Sequence, residues 1–482
     1  MHNVEFIEAV MTTMTMNDAE LLSRMEEGVN NPNPWLPAGV GEEDEAFTIV
    51  RLPSHVHDTN KGLYEPRLFS VGPYHFSSPR TRAMQAHKWR FLHDFLRRRD
   101  GEGAGAGAEV RRLANYIREV RKMEARARRC YGEPLDQFGS DDFVQMLVLD
   151  GCFILEFMLK HDAAVLDAHM QWVWTYVYYD LLLVENQLPF FVLVKLFSLS
   201  MGNVDVAAGG AVDRQQLLRL IFNFFCLHEP PGQVVPAPGQ FTVVYHLLHL
   251  QYQRMVMAPE RRKLGLSARL TRQLRGSLSR IRSSIRVRMI GTAATTPLAI
   301  PCATALVELG VTFRENASPA GQFDVTFQDG TIFIPRQAIN AGTRILMANV
   351  FALEQTRDWK EGVVTGYVVL MNALVSTRAD VALLRRHSIL DNMLSSDDDA
   401  AEFFNRLGDS ALFDPRAHRF ARLFKDTNEY CHYRWNRYVG LFKRDHLRTP
   451  CSIIKLLVAA MLLGVSVVSG GYTICRYRDA CS

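Results

Sequence analysis

The chain has 482 residues, 48% of them hydrophobic and 22% charged, with a formal net charge of +4. That length and apolar content can fill a large buried core, while so slight a basic excess argues against nucleic acid as a partner. Eight cysteines, at 130, 152, 226, 302, 431, 451, 475 and 481, never fall into a CxxC pair, which reads as reduced thiols in a cytosolic body rather than a disulfide framework.

Residues 1–47 mix methionines, acids, an NNPNPW turn cluster and GVGEEDE, the composition of a flexible leader. It lacks a basic opening segment, so no cleaved secretory signal is expected. From Thr48 the pattern becomes structured, with a strand-like IVRLP and then turn chemistry through Tyr64–Arg80. Met84, Trp89, Phe91, Leu92, Phe95 and Leu96 form a helical stripe over Arg82–Arg99. A Gly/Ala-rich link follows at 101–108, then one long basic helix over Val110–Cys130. Apolar helices are predicted at Asp141–Lys160, behind an acidic cap, and at Asp180–Ser198, with further helices at Leu217–Leu227 and Phe241–Met257. A basic, acid-free insert occupies 261–288. After a helix at Pro297–Leu309, Val311–Pro335 alternates as strands joined at Asp329-Gly330, a hairpin signature. Helices resume at Arg344–Gln355, Glu361–Val375, Ala400–Leu407 and Ala417–Lys443. The expected fold is mainly α: a helical globular body over 48–445 with one small β-hairpin, followed by a single C-terminal transmembrane helix.

That last helix rests on length and charge. Leu456 to Cys475 contains no ionisable side chain except Tyr472 and Cys475, and at about 1.5 Å per residue it spans roughly 30 Å, the thickness of a bilayer's hydrocarbon core. Lys443, Arg444, Arg448 and Lys455 precede it, and Arg476 and Arg478 follow. The expectation is a tail anchor over 451–476 with a short tail at 477–482. The heavier basic flank before it places the body in the cytosol, and the plasma membrane is the favoured compartment. Cys451, Cys475 and Cys481 are candidate acylation sites at its edges. Small residues at Ala460/Gly464 and Ser466/Gly470 would let two such helices approach, which makes self-association an open reading.

No catalytic, cofactor or metal site is predicted. The glycines at 101, 103, 105 and 107 follow an exposed RRRD instead of a buried strand, so they read as a linker and not a phosphate cradle. His246 and His249 lie one helical turn apart without further convergent ligands, and read as core or interfacial histidines. Asp150, Glu156 and Glu185 could serve acid–base chemistry, but Arg118, Arg121, Arg126, Arg128 and Arg129 on the preceding helix make buried structural ion pairs the favoured reading. In the basic insert, Arg261, Arg262, Lys263, Arg280, Arg282, Arg286 and Arg288 form either a solvated face or a patch for anionic headgroups. It lacks the aromatic residues that stacking on bases requires.

Several ordered blocks resemble a large plant family known as domain of unknown function 247. They begin at Tyr64–His75, including Gly72, Pro73 and His75, and continue through His87-Lys88-Trp89-Arg90 and Glu124–Tyr131. The most specific are Leu149–Glu156, with Asp150, Gly151, Cys152 and Glu156, and Asp180–Phe191, with Glu185, Asn186, Gln187, Pro189 and Phe190. Ile300–Leu306, Phe351–Gln355, with Glu354 and Gln355, and Asn428–Trp435 also fit. Departures stand at Gln85, Leu309-Gly310 and Thr449-Pro450. The resemblance implies a plant membrane protein with a C-terminal span and no known enzymatic activity. Some grass members look like pollen-side determinants of self-incompatibility. The leading expectation is therefore a non-enzymatic recognition or signalling protein acting on an unknown protein partner. Two rivals are a membrane-bound enzyme using Asp150, Glu156 or Glu185, and a scaffold at anionic membranes.

Overall fold

The computed structural model describes residues 48–98, 106–202, 206–225, 238–256, 299–317, 319, 321–356, 362–416 and 418–432, with 458, 461–462 and 465–466 further on. The leader, the basic insert at 261–288, residues 101–105 of the link, the three acylation candidates and the tail lie outside the described residues. The chain divides into two compact units, one of Met1–Gln233, Ala237–Gln253 and Ala348–Thr356, the other of Val234–Pro236, Arg254–Met347 and Arg357–Ser482.

The first unit begins with a parallel bridge between Ile49 and Tyr131, then the short helices α1 (Ser54–Thr59) and α2 (Lys61–Tyr64). A 3-10 turn at Arg82–Met84 leads into α3 (Gln85–Arg97), followed by α4 (Ala106–Arg121) and α5 (Glu124–Arg129). The expected single basic helix over Val110–Cys130 is thus two helices. It breaks at Lys122–Met123, where the Met123 amide turns back to the Val120 carbonyl. The end of the Gly/Ala link, from Ala106, is already helical.

Helix α6 (Ser140–Asp162) is the centre of this unit, and every residue from Met146 to Met158 is buried. Helices α3, α4, α5, α8 (Phe190–Met201) and α9 (Val206–Phe225) all pack on it. A helix covered on every side has no need of a polar stripe, which explains why its sequence is apolar all round. Gly151 sits where α8 crosses: a Cβ there would overlap the Leu196 side chain and touch Leu193. Between α6 and α8 stands α7 (Ala168–Asp180), capped by Asp167, whose side chain accepts the Met170 amide at 2.8 Å. The apolar helix expected over Asp180–Ser198 is therefore corrected. Asp180 ends one helix, residues 181–189 form turns, and a new helix starts after Pro189. Proline disfavours helical geometry in the residue before it, and the side chains of 185–187 recruit backbone elsewhere, as described below. The last helix to begin in this unit is α10 (Leu247–Val256), which belongs to it as far as Gln253.

The second unit holds α11 (Ala303–Glu308), strands β1 (Thr312–Glu315), β2 (Thr326–Gln328), β3 (Thr331–Ile334) and β4 (Gln337–Ile339), and the start of α12 (Ala341–Gln355). Then come α13 (Val363–Leu374), α14 (Arg378–Arg386), β5 (Leu390–Asn392), α15 (Asp397–Asp409) and α16 (Ala421–His432). The expected hairpin exists as antiparallel β2–β3, but β1 joins β3 in parallel, and β4 pairs with β5 in a second, parallel sheet. The parallel pairings join strands separated by intervening structure, which local sequence signals do not reveal. Helix α13 is the apolar centre here, buried without interruption from Val363 to Met371. Asp380 fixes the start of α14, accepting bonds from the Thr377 amide and hydroxyl and from the Thr304 amide and hydroxyl, all at 2.8–2.9 Å. Burial alone would push the Asp380 carboxyl up, but these four bonds hold it below its usual value.

Among the described residues, no single helix is long and apolar enough to cross a membrane. Of the run from Leu456 to Cys475, only five residues are described; all are helical, and Val458, Met461, Leu462 and Val465 are exposed.

Asp329 and Gly330 both have positive φ, +48° and +77°, as a two-residue hairpin turn demands, and a Cβ on Gly330 would overlap the Tyr430 ring. Gly330→Ala should therefore lower the stability of the second unit by about 1–3 kcal/mol, measured by urea unfolding.

Candidate functional site

The residues of the shared blocks converge on one stretch of irregular backbone, 67–72, between α2 and α3. Asp180 accepts three consecutive amides: Arg67 at 2.8 Å on one oxygen, Leu68 and Phe69 at 2.7 and 2.8 Å on the other. Asn186 accepts the Val71 amide at 2.6 Å and donates to the carbonyls of Phe69 and Asp180 at 3.0 and 2.8 Å. Asp150 accepts the Gly72 amide at 2.9 Å, and its second oxygen takes the Lys88 ammonium at 2.6 Å. Lys88 also donates to the Ser70 carbonyl at 2.5 Å. Buried backbone must find partners, and here side chains do the work that a sheet ladder does elsewhere.

A second set of bonds supports the first. Glu185 accepts the Leu52 amide at 2.7 Å, and its other oxygen stands 3.1 Å from Nε2 of His75. Gln187 donates to the carbonyls of Leu181 and Leu183, both at 2.8 Å, and accepts the Leu248 amide at 3.1 Å. Its own carbonyl takes the Tyr131 hydroxyl at 3.1 Å. Asn349 accepts the Val184 amide and donates to the Leu63 carbonyl. Gly72 (φ +73°) lies so close to Gln187 that a Cβ would come within 2.7 Å of the Gln187 carbonyl oxygen.

The remaining candidates take similar parts. Glu156 is held by a two-bond fork from Arg98, at 2.7 and 2.9 Å. Glu354 accepts the Tyr252 hydroxyl at 2.8 Å, and Gln355 is half-buried nearby on α12. Pro189 precedes α8, and Phe190 donates its amide to the Tyr245 carbonyl at 2.7 Å. Pro73 and Cys152 are buried, and burial pushes the Cys152 thiol well up. His246 and His249 are core histidines, as expected: the Thr48 carbonyl lies 3.1 Å from Nε2 of His246, and its Nδ1 accepts the His249 amide.

Two expectations need correction. Asp150 and Glu156 do pair with cations, but with Lys88 and Arg98 instead of the arginines of Val110–Cys130, and Glu185 stands beside the His75 ring. Those arginines go to other partners: Arg121 to Asp141, Arg128 to Glu124 and the Phe143 ring, and Arg126 over the Phe191 ring. In the HKWR block, moreover, the fully buried residue is Lys88, while Trp89 is exposed. Sequence reasoning passed over Lys88, although it stands three, four and seven residues before Phe91, Leu92 and Phe95, on the buried stripe of α3. Asp180 was not singled out as a site residue although it opens the shared block Asp180–Phe191, and Asn349 was missed because nothing in its local sequence marks it.

Burial sets the electrostatics. It pushes the Asp150 carboxyl up against the pull of Lys88 and the Gly72 amide, and pushes Glu156 up against Arg98. Asp180 is raised to about 6, burial outweighing its three amide bonds. Among the described residues, no three His, Cys, Asp or Glu side chains are grouped to hold a metal ion. The arrangement is suited to fixing backbone: each acid is occupied by an amide or a cation of the chain itself.

Lys88→Met leaves Asp150 buried and uncompensated, and should destabilise the fold by about 3–5 kcal/mol in urea unfolding. The raised carboxyl of Asp180 binds its proton more tightly folded than unfolded, so its contribution to stability is greatest below about pH 4 and is lost as pH rises through about 6. Asp180→Asn abolishes that dependence. Its deficit relative to the unaltered chain should therefore be larger at pH 4.5 than at pH 7, read as the difference in melting temperature.

The sequence signature of the DUF247 family, described as plant protein of unknown function, matches residues 49–465. The UPF0481 protein At3g47200 of Arabidopsis thaliana is 26% identical over 437 residues, covering 87% of this chain and 85% of its own length. The putative UPF0481 protein At3g02645 of the same plant is 21% identical over 491 residues, covering 87% and 89%. No solved structure matches the chain.

Proposed function

The chain belongs to the DUF247 family of plant proteins of unknown function, and from that premise we propose that it is a membrane-tethered recognition protein whose helical body binds another protein. The observation that carries this reading is the inward use of its polar residues. Asp150, Glu156, Asp180, Glu185, Asn186 and Gln187 spend their hydrogen bonds on the chain's own backbone and cations, as a rigid scaffold requires. A catalytic acid or base needs instead to reach a substrate proton.

The tether is the run from Leu456 to Cys475, of bilayer length and flanked by Lys455 and Arg476. Its described residues support this, since Val458, Met461, Leu462 and Val465 are helical and leave 46–69% of their surface uncovered. Free thiols at Cys152, Cys302 and Cys431 favour a body on the reducing, cytosolic side. A pollen-side role in self-incompatibility is the narrower form of this reading, and it entails pollen-restricted expression and high allelic divergence.

Alkaline carbonate extraction of plant membranes tests the tether. The full chain should stay in the pellet, while Leu462→Arg combined with Val465→Asp moves it to the supernatant; release of the unaltered chain would overturn the reading. Cross-linking in the same intact membranes should add a second, different polypeptide. A chain that runs alone after cross-linking would count against recognition and leave the tether standing.

A further inference from the structure

Within the first unit, a cleft of about 280 Å³ opens beside the start of α8. Phe190, Phe191 and Val194 line one side, and Val243 and Tyr245 line the facing segment. The Phe190 amide bonds the Tyr245 carbonyl at 2.7 Å, joining the two walls. This cleft plays no part in the polar clamp around residues 67–72, and it does not depend on the recognition reading.

Its polar equipment is sparse and of one sign. Arg214, on α9, reaches in with its guanidinium carbon 5.9 Å from the centre of the Phe190 ring, and it donates to the Thr242 carbonyl at 2.9 Å. Among the described residues no carboxylate pairs with it, and no acid lines the cleft. Partial burial without such a partner pulls the Arg214 guanidinium below its usual value. A second cation, Arg126, lies over the outer wall, 4.0 Å from the Phe191 ring centre. Thr48, only 3% exposed, lines the same cleft, and its buried hydroxyl has no hydrogen-bond partner.

We propose that this cleft binds a small organic carboxylate with an apolar body, the carboxylate pairing with Arg214 and the body lying between the Phe190–Phe191 wall and Val243–Tyr245. An apolar pocket with a few convergent polar groups is the usual form of a small-molecule site. The uncompensated guanidinium selects an anion, and a planar fork suits a carboxylate. The aromatic walls call for a hydrocarbon or aromatic body, which inorganic phosphate lacks. The volume, just below the range of about 300–1,000 Å³ for ligand sites, restricts the ligand to something of the order of a dozen heavy atoms.

Isothermal titration of the full chain in detergent tests this with three probes of one shape: 4-phenylbutyrate, its neutral amide 4-phenylbutyramide, and the cation 4-phenylbutylamine. The acid should bind about tenfold or more tighter than the amide, and the amine more weakly than either. Arg214→Gln should cut affinity for the acid about tenfold while leaving that for the amide unchanged, which also shows that the variant is folded. Val243→Trp, at an exposed rim position, should weaken acid and amide together without lowering the melting temperature. Equal affinity for the three probes, unaltered acid binding in Arg214→Gln, or no heat from the acid at millimolar concentration would each overturn the proposal.

Discussion

An irregular stretch of backbone buried among helices cannot use water, and residues 67–72 answer that constraint with side chains. Asp180, Asn186 and Asp150 take the amides of Arg67, Leu68, Phe69, Val71 and Gly72 between them, and Lys88 takes the carbonyl of Ser70. Each of these side chains comes from a different place: the end of α7, the turn after it, the middle of α6, and the inner face of α3. Fixing the loop therefore fixes the elements that carry its partners. Where α7 ends and which face of α3 turns inward both follow from the same set of bonds.

Buried polar networks of this kind are weak sources of net stability and strong sources of uniqueness. Desolvation opposes the charged forms of Asp150, Glu156 and Asp180, and their fixed hydrogen bonds and cation partners offset only part of it. The second unit repeats the device with Asp380, whose four donors outweigh burial and leave its carboxyl below the usual value, whereas Asp180 with three amides is raised. In both units a buried acid anchors the start or end of a helix. Function is then sought where described groups remain uncommitted: the exposed Val458, Met461, Leu462 and Val465, and the cleft beside Arg214.

Much of the local structure was legible. The hairpin at Asp329-Gly330 followed from alternation and a turn dipeptide, and the two helices buried on all sides, α6 and α13, from continuous apolar composition. The helix drawn through Asp180–Ser198 was wrong because propensity and hydropathy describe a residue's own preference for helix. They cannot weigh the amides of Arg67–Phe69 waiting more than a hundred positions earlier. The same blindness assigned Asp150 and Glu156 to neighbouring arginines, when Lys88 and Arg98 hold them.

The sequence alone determined what is written in short range or in many blocks at once: a mainly helical class, membership of a plant family, and an apolar run of bilayer length. Tertiary structure alone decided which side chains meet. It made Lys88 an interior ammonium, set Asp180 at the end of a helix, added parallel partners to a hairpin, and left Arg214 facing an aromatic cleft that no acid among the described residues lines. The physical reason is that burial and hydrogen-bond pairing are properties of segments brought together by folding. Periodicity, capping and hydropathy act along the chain and can be read there; desolvation and its compensation act across it.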